Sequence, residues 1–259
     1  RVAYLLGEAH AMNLAIDEAQ SAYAAARSHD PLYWRAAVGE ARMLAHARRH
    51  ADAIAVLDAA RRAIDDGSHE GSEAKRAGAA LMLHKARLLE DAGDFAAAEL
   101  ALDQALEADP NDNDAQLARA LLHLRASRQQ PGRSDLLSVY ERTGGYPGLT
   151  GPLGRVFAAE RNVEALEALV AEHLDDPEAP TELRLVGARL RLLQGRLGDA
   201  RGLLEQALTR EPNHWEAHLL LAETLLESGD PVAALSQIER VRAPEPNARL
   251  HLLRGQILE

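Results

Sequence analysis

The chain contains no cysteine. That excludes a disulfide, a thiolate metal site and a cysteine nucleophile, and leaves the compartment open between periplasm and cytoplasm. Aromatic residues amount to two Trp, five Tyr and two Phe, too few for the stacking platform that single-stranded nucleic acid requires. No apolar stretch reaches the roughly 18 residues of a membrane span. The opening segment 1–10 does not read as a signal peptide, because Glu8 and His10 interrupt a short apolar run. Val, Ile and aromatics, which favour strands, are scarce, against an all-β protein or a Val/Ile-rich parallel sheet. Basic residues are outnumbered: 29 Lys+Arg face 40 Asp+Glu, a formal net charge of −11, which argues against a general phosphate-binding surface and so against nucleic acid as partner. Only Lys75 and Lys85 are lysine.

What is present favours helix. Ala (51) and Leu (43) together supply 94 of the 259 residues, and they are the strongest helix formers. A 47% hydrophobic content can bury a continuous core, so disorder is not expected. The acidic excess is uneven: −7 over residues 1–112, −3 over 113–180 and −1 over 181–259. The chain opens on Arg1 rather than Met, from which we expect a processed or excised piece.

Self-similarity at a fixed period decides the organisation. Pro110, Pro177, Pro212 and Pro246 are spaced by 67, 35 and 34 residues. Gly93, Gly195 and Gly229 are spaced by 102 and 34, and the same register holds for Ala86, Ala188 and Ala222, for Ala98, Ala200 and Ala234, and for Ala105, Ala207 and Val241. Each unit reads as two helices. Residues 79–90 form an apolar-periodic stretch, Asp91-Ala92-Gly93-Asp94 breaks it, and a second amphipathic stretch runs from Phe95 to Ala108 until Asp109-Pro110-Asn111. The glycine can take the left-handed conformation that reverses the chain, Asp94 can cap the next helix, the alanines let helix axes approach, and the proline cannot continue a helix.

This pattern resembles the tetratricopeptide repeat, a 34-residue helix–turn–helix unit. The matching residues are Gly93-Asp94-Phe95 through Ala98, Leu102, Ala105 and Asp109-Pro110-Asn111, then Gly195 through Ala200, Leu204, Ala207 and Glu211-Pro212-Asn213. The family's large first-helix residues are replaced by Met82 and Lys85 and by Arg184 and Gly187. The resemblance implies an all-α fold, a right-handed α-solenoid of tandem helix–turn–helix repeats. We expect one array over 1–259, with units near 1–31 (partial), 32–70, 73–112, 113–147, 148–178, 181–212, 213–246 and 247–259 (partial). Outside the best units the phase is harder to follow. The linker 65–72 is about ten residues longer than a repeat needs, the Arg128-Gln129-Gln130-Pro131-Gly132 run leaves only a short helix over 135–142, and 162–174 serves as a second helix. Apolar Leu252, Leu253, Ile257 and Leu258 close the chain where a terminal repeat usually turns polar. We therefore expect the array to continue, to meet a partner, or to self-associate there.

Catalytic and metal arrangements fail on inspection. His46-Ala47-Arg48-Arg49-His50 has the two-histidine spacing of a zinc helix but arginines where the glutamate base belongs. His214 and His218 read as capping or packing beside Trp215. Gly144 to Gly151 lacks the Lys-Ser/Thr of a phosphate loop. The pairs Asp65/Asp66, Glu90/Asp91 and Asp175/Asp176 sit at helix ends, and Trp34 and Trp215 read as inter-helix packing. No catalytic residue, cofactor or metal site is expected, and the chain is read as a non-enzyme.

What remains is surface. The resemblance implies that the second, fifth, ninth, twelfth and thirteenth positions of each repeat face a groove. Carried onto this chain they are Leu83, Arg87, Glu90 and Asp91; Leu117, Leu121 and Leu124; Leu185, Arg189, Leu192 and Leu193; and Leu219, Glu223 and Leu226. Such a groove suits an amphipathic helix or an extended apolar peptide. It lacks the Lys and Asn of the family's carboxylate clamp. Asp at 185 and 219 is expected to weaken partner binding with helicity intact. The expected function is a non-catalytic protein–protein interaction scaffold, whose repeat composition resembles bacterial scaffolds of envelope assembly such as exopolysaccharide export or pilus assembly. The alternative is the recruiting arm of a longer enzyme or outer-membrane secretion protein.

Overall fold

The computed structural model describes residues 2–30, 32–66, 71–126, 128–145, 148–171, 174, 176, 178–242 and 248–258. Among the described residues there are fifteen α-helices and no strand. They fall into two compact units, Arg1–Val139 and Tyr140–Glu259. The first contains α1 (Val2–Met12), α2 (Ile16–His29), α3 (Trp34–His46), α4 (His50–Asp66), α5 (Ser72–Asp91), α6 (Phe95–Ala108), α7 (Asn113–Arg125) and most of α8 (Gln129–Thr143). The second contains α9 (Thr150–Ala159), α10 (Val163–Val170), α11 (Thr181–Leu193), α12 (Leu197–Arg210), α13 (Trp215–Glu227), α14 (Pro231–Arg240) and α15 (Ala248–Leu258).

In each unit sequential helices form hairpins, each second helix packs on the next first helix, and first helices also touch one another, as α1, α3, α5 and α7 do in one unit and α9 and α11 in the other. Each repeat therefore buries its apolar stripe against its neighbours. Tyr23, Leu44, Leu57, Leu81 and Leu102 are fully buried in the first unit, and Leu153, Leu166, Leu185 and Leu190 in the second.

The turns explain why the period is clearer in space than in sequence. Gly93, Gly195 and Gly229 all have positive φ, 80°, 71° and 83°. Leu14, Arg48 and Arg161 occupy the same place with φ of 57°, 63° and 53°, and 14 to 48, 161 to 195 and 195 to 229 are each 34 residues. The repeat keeps its phase through both units, apart from an offset between 48 and 93. The small position seven residues before each of these turns is likewise occupied and buried: Gly7, Ala41, Ala86, Gly154, Ala188 and Ala222. A Cβ on Gly154 would lie 2.3 Å from Val186 Cγ2, and one on Gly7 2.7 Å from the Tyr23 ring, so the helices approach as only small residues allow.

Two helices are longer than the sequence predicts. α5 begins at Ser72, not at residue 79, because Ala74, Ala77 and Gly78 add two buried turns to its N-terminal end. Those turns absorb much of the offset; residues 67–70 of the linker lie outside the described residues. α8 begins at Gln129 rather than 135. Pro131 falls in its first turn, where a missing N–H costs nothing, and at Gly132 a Cβ would meet Leu124 Cγ at 2.9 Å and the Ala120 carbonyl oxygen at 3.0 Å. α10 ends at Val170, short of the expected 174. Pro147, Pro177 and Pro246 lie outside the described residues. Capping follows the sequence: Asp94, Asp112, Asn162 and Asp230 each accept a hydrogen bond from the backbone N–H three residues on. His214 does the same through Nδ1, which accepts from Ala217 N–H at 3.3 Å.

Candidate interaction face

The first helices bring matching repeat positions side by side. In the first unit Arg42 on α3 and Arg87 on α5 line one cleft of about 440 Å³ with His46, His50, His84 and Asp91. Glu8 on α1 lies 3.6 Å from Arg42, whose side chain is 68% exposed. Glu8 also accepts a 2.7 Å hydrogen bond from the Tyr23 hydroxyl; burial and that carboxylate push the phenol upward. Burial, then Arg87 and Arg42, hold His84 down at about 4, with Asp114 acting weakly the other way. The His84 ring lies 6.2 Å from that of Trp34, which Arg35 covers at 4.7 Å. A second cleft of about 440 Å³ adjoins the first, sharing Arg42 and His46, with apolar walls from Leu14, Ile16, Tyr23 and Met43.

In the second unit Arg155 on α9 and Arg189 on α11 line a cleft of about 430 Å³ with Leu192, Glu223 and Arg249. Glu216 at the start of α13 joins the two arginines: Arg155 Nη1 donates to one carboxylate oxygen at 3.2 Å and Arg189 Nη2 to the other at 2.5 Å. Arg189 is buried, its Nη1 has no hydrogen-bond partner, and burial is the main force lowering its proton affinity. Arg249 forks onto Glu223.

The expected groove residues divide. Leu83, Leu185 and Leu219 are at most 6% exposed and belong to the cores, so Asp at 185 and 219 would unfold the second unit rather than spare its helicity. Arg87 is exposed, Glu90 pairs with Arg125, and Leu117 and Leu121 are half-buried on α7. Arg189 is buried in its ion pair and Glu223 is held by Arg249. Arg42 and Arg155 were not anticipated, although Arg155 lies 34 residues before Arg189; the non-glycine turns at Arg48 and Arg161 concealed the phase. On the last helix Leu253 is buried and Leu252 exposed, so the open apolar stripe expected there is largely absent.

His218 is buried, with its ring nitrogens 2.8 Å from the Gln237 side chain and 2.9 Å from the Pro212 carbonyl, and Trp34 and Trp215 pack against the cores. Among the described residues no three His, Asp or Glu side chains are placed to hold a metal ion, and no helix is long and apolar enough to cross a membrane.

Comparison with protein families agrees with this geometry. Residues 4–68 and 83–147 match one tetratricopeptide repeat model and residues 191–257 match another. The chain belongs to the tetratricopeptide repeat family. Solved structures share this fold at low identity. A tetratricopeptide repeat protein from Parabacteroides merdae is 18% identical with a TM-score of 0.67, over 86% of this chain and 85% of that one. A chain of the APC/C hetero-tetramer Cut9–Hcn1 is 14% identical with a TM-score of 0.64, over 98% of this chain and 48% of that one. Acl4, an assembly chaperone of RpL4, is 18% identical with a TM-score of 0.57, over 87% and 95%. No curated protein matches the sequence. The tetratricopeptide repeat fold supports a protein–protein interaction scaffold.

Proposed function

We propose that this tetratricopeptide repeat protein is a non-catalytic scaffold that holds partner proteins or peptides on its first-helix faces, within bacterial envelope assembly such as exopolysaccharide export. The observation that supports the reading is the pairing of arginines at one repeat position around a cleft in each unit, Arg42 with Arg87 and Arg155 with Arg189. Half-buried Leu117, Leu121 and Leu192 lie along the same helices, and buried Leu83, Leu185 and Leu219 form the floor beneath. Placement in envelope assembly rests on the resemblance of repeat composition. Among solved neighbours, the names of Cut9–Hcn1 and Acl4 speak of assembly with another protein.

A photo-crosslinking amino acid at Leu121 or Leu192, in cells of the native host, tests the face. Partner adducts are expected there and not from exposed second-helix positions Leu100 and Val232. Equal adducts from both sets, or adducts only from the second helices, would overturn the assignment.

A further inference from the structure

We propose that the adjoining clefts of α1 to α5 bind an acidic segment of a partner protein that also carries an apolar anchor residue. The proposal rests on the scaffold reading above and specifies the partner chemistry at one end of it. In a chain of net charge −11, this cleft is basic: Arg42, Arg87 and three histidines face a single lining carboxylate, Asp91. Glu8 on α1 holds Arg42 only at 3.6 Å, and Asp114 on α7 acts on His84 from the far side. Arg87 is exposed and has no ion pair among the described residues. His50 Nδ1 is buried without a hydrogen-bond partner. Two guanidiniums on neighbouring first helices, open to solvent and short of carboxylates, are complementary to glutamate or aspartate side chains.

The neighbouring apolar cleft gives the second half of the specification. It shares Arg42 and His46 with the basic cleft, so one short segment can reach both. Leu14 stands in its wall, 75% exposed, at a turn position where other repeats have glycine and where its φ of 57° is costly for a side chain. That side chain gains no burial from its own fold; a ligand's apolar residue against Leu14, Ile16 and Met43 would supply it. The overall acidic balance opposes a polyanion such as nucleic acid, whereas a segment with a few carboxylates and an apolar side chain meets both clefts.

The test uses the full chain and a labelled, C-terminally amidated peptide with glutamates on either side of a Leu-Phe pair, followed by fluorescence anisotropy. Amidation removes the terminal carboxylate, so binding reports on side chains. The glutamate peptide is expected to bind, more weakly as salt rises, while the same peptide with lysines does not. Arg42→Glu with Arg87→Glu should weaken binding at least about tenfold with the thermal melt unchanged, and Arg42→Gln with Arg87→Gln should do so more mildly. Arg196→Glu, on the other unit, should leave affinity intact. Equal binding of the lysine peptide, affinity unchanged in both arginine double variants, or displacement of the peptide by single-stranded DNA at similar concentration would overturn the proposal. If the peptide fails while first-helix crosslinks persist, the acidic-segment assignment alone falls; if those crosslinks also vanish, the scaffold face falls with it.

Discussion

Six turn residues share one left-handed conformation, and three of them are glycine. A residue with a Cβ sits there at a cost of roughly 1–2 kcal/mol, partly offset by the entropy glycine loses on folding. Arg48→Gly is therefore expected to leave stability unchanged or raise it by up to about 1 kcal/mol, and Gly93→Ala to lower it by about 1 kcal/mol, both read from urea unfolding. At Gly154 the penalty is packing. An added methyl would meet Val186 Cγ2 at 2.3 Å, so Gly154→Ala should cost about 1–3 kcal/mol. Glu216→Gln removes the carboxylate shared by Arg155 and Arg189, leaving a buried guanidinium without a counter-charge. A loss of roughly 3 kcal/mol is expected.

His84 gives stability a pH dependence of definite sign. Its folded value, about 4, lies below the ordinary 6.5, so as pH falls through that window the unfolded chain takes up a proton that the folded chain refuses. Stability should drop from about pH 6.5 to 4 and gain no further loss from this ring below that. His84→Gln should show a shallower decline over the same range.

At the scale of elements, much of the helix pattern was legible because capping and chain reversal are local. Asp94, Asp112 and Asp230 act as caps where their sequence places them, and Asp112→Ala is expected to cost about 1 kcal/mol in thermal unfolding. The extra turns of α5 and α8 were not legible. Ala74, Ala77 and Gly78 become a buried face only when another helix lies against them, and Gly132 reads as a breaker until Leu124 and Ala120 are seen to press on it. The interaction face divided for the same reason. Leu83 and Leu121 occupy neighbouring positions of the repeat, yet one is core and the other half-buried, a distinction that rests on which neighbours cover each.

Across the whole molecule each repeat touches its neighbours and little else, so damage should remain local. Leu102→Ala, in the core of the first unit, is expected to cost about 2–5 kcal/mol. Hydrogen exchange should quicken in α5 to α7 and stay unchanged in α11 to α14. Sequence alone determined that this chain is helical, that it repeats every 34 residues, and that it lacks the residue sets for familiar catalysis, because helix propensity, spacing and composition are properties of the chain itself. Tertiary structure decided which leucines are floor and which are face, that Arg42 and Arg155 join Arg87 and Arg189, and that Glu216 is buried between two arginines. Burial and charge pairing are set by the helix that arrives from the next repeat, and no residue's own neighbourhood in the sequence contains that helix.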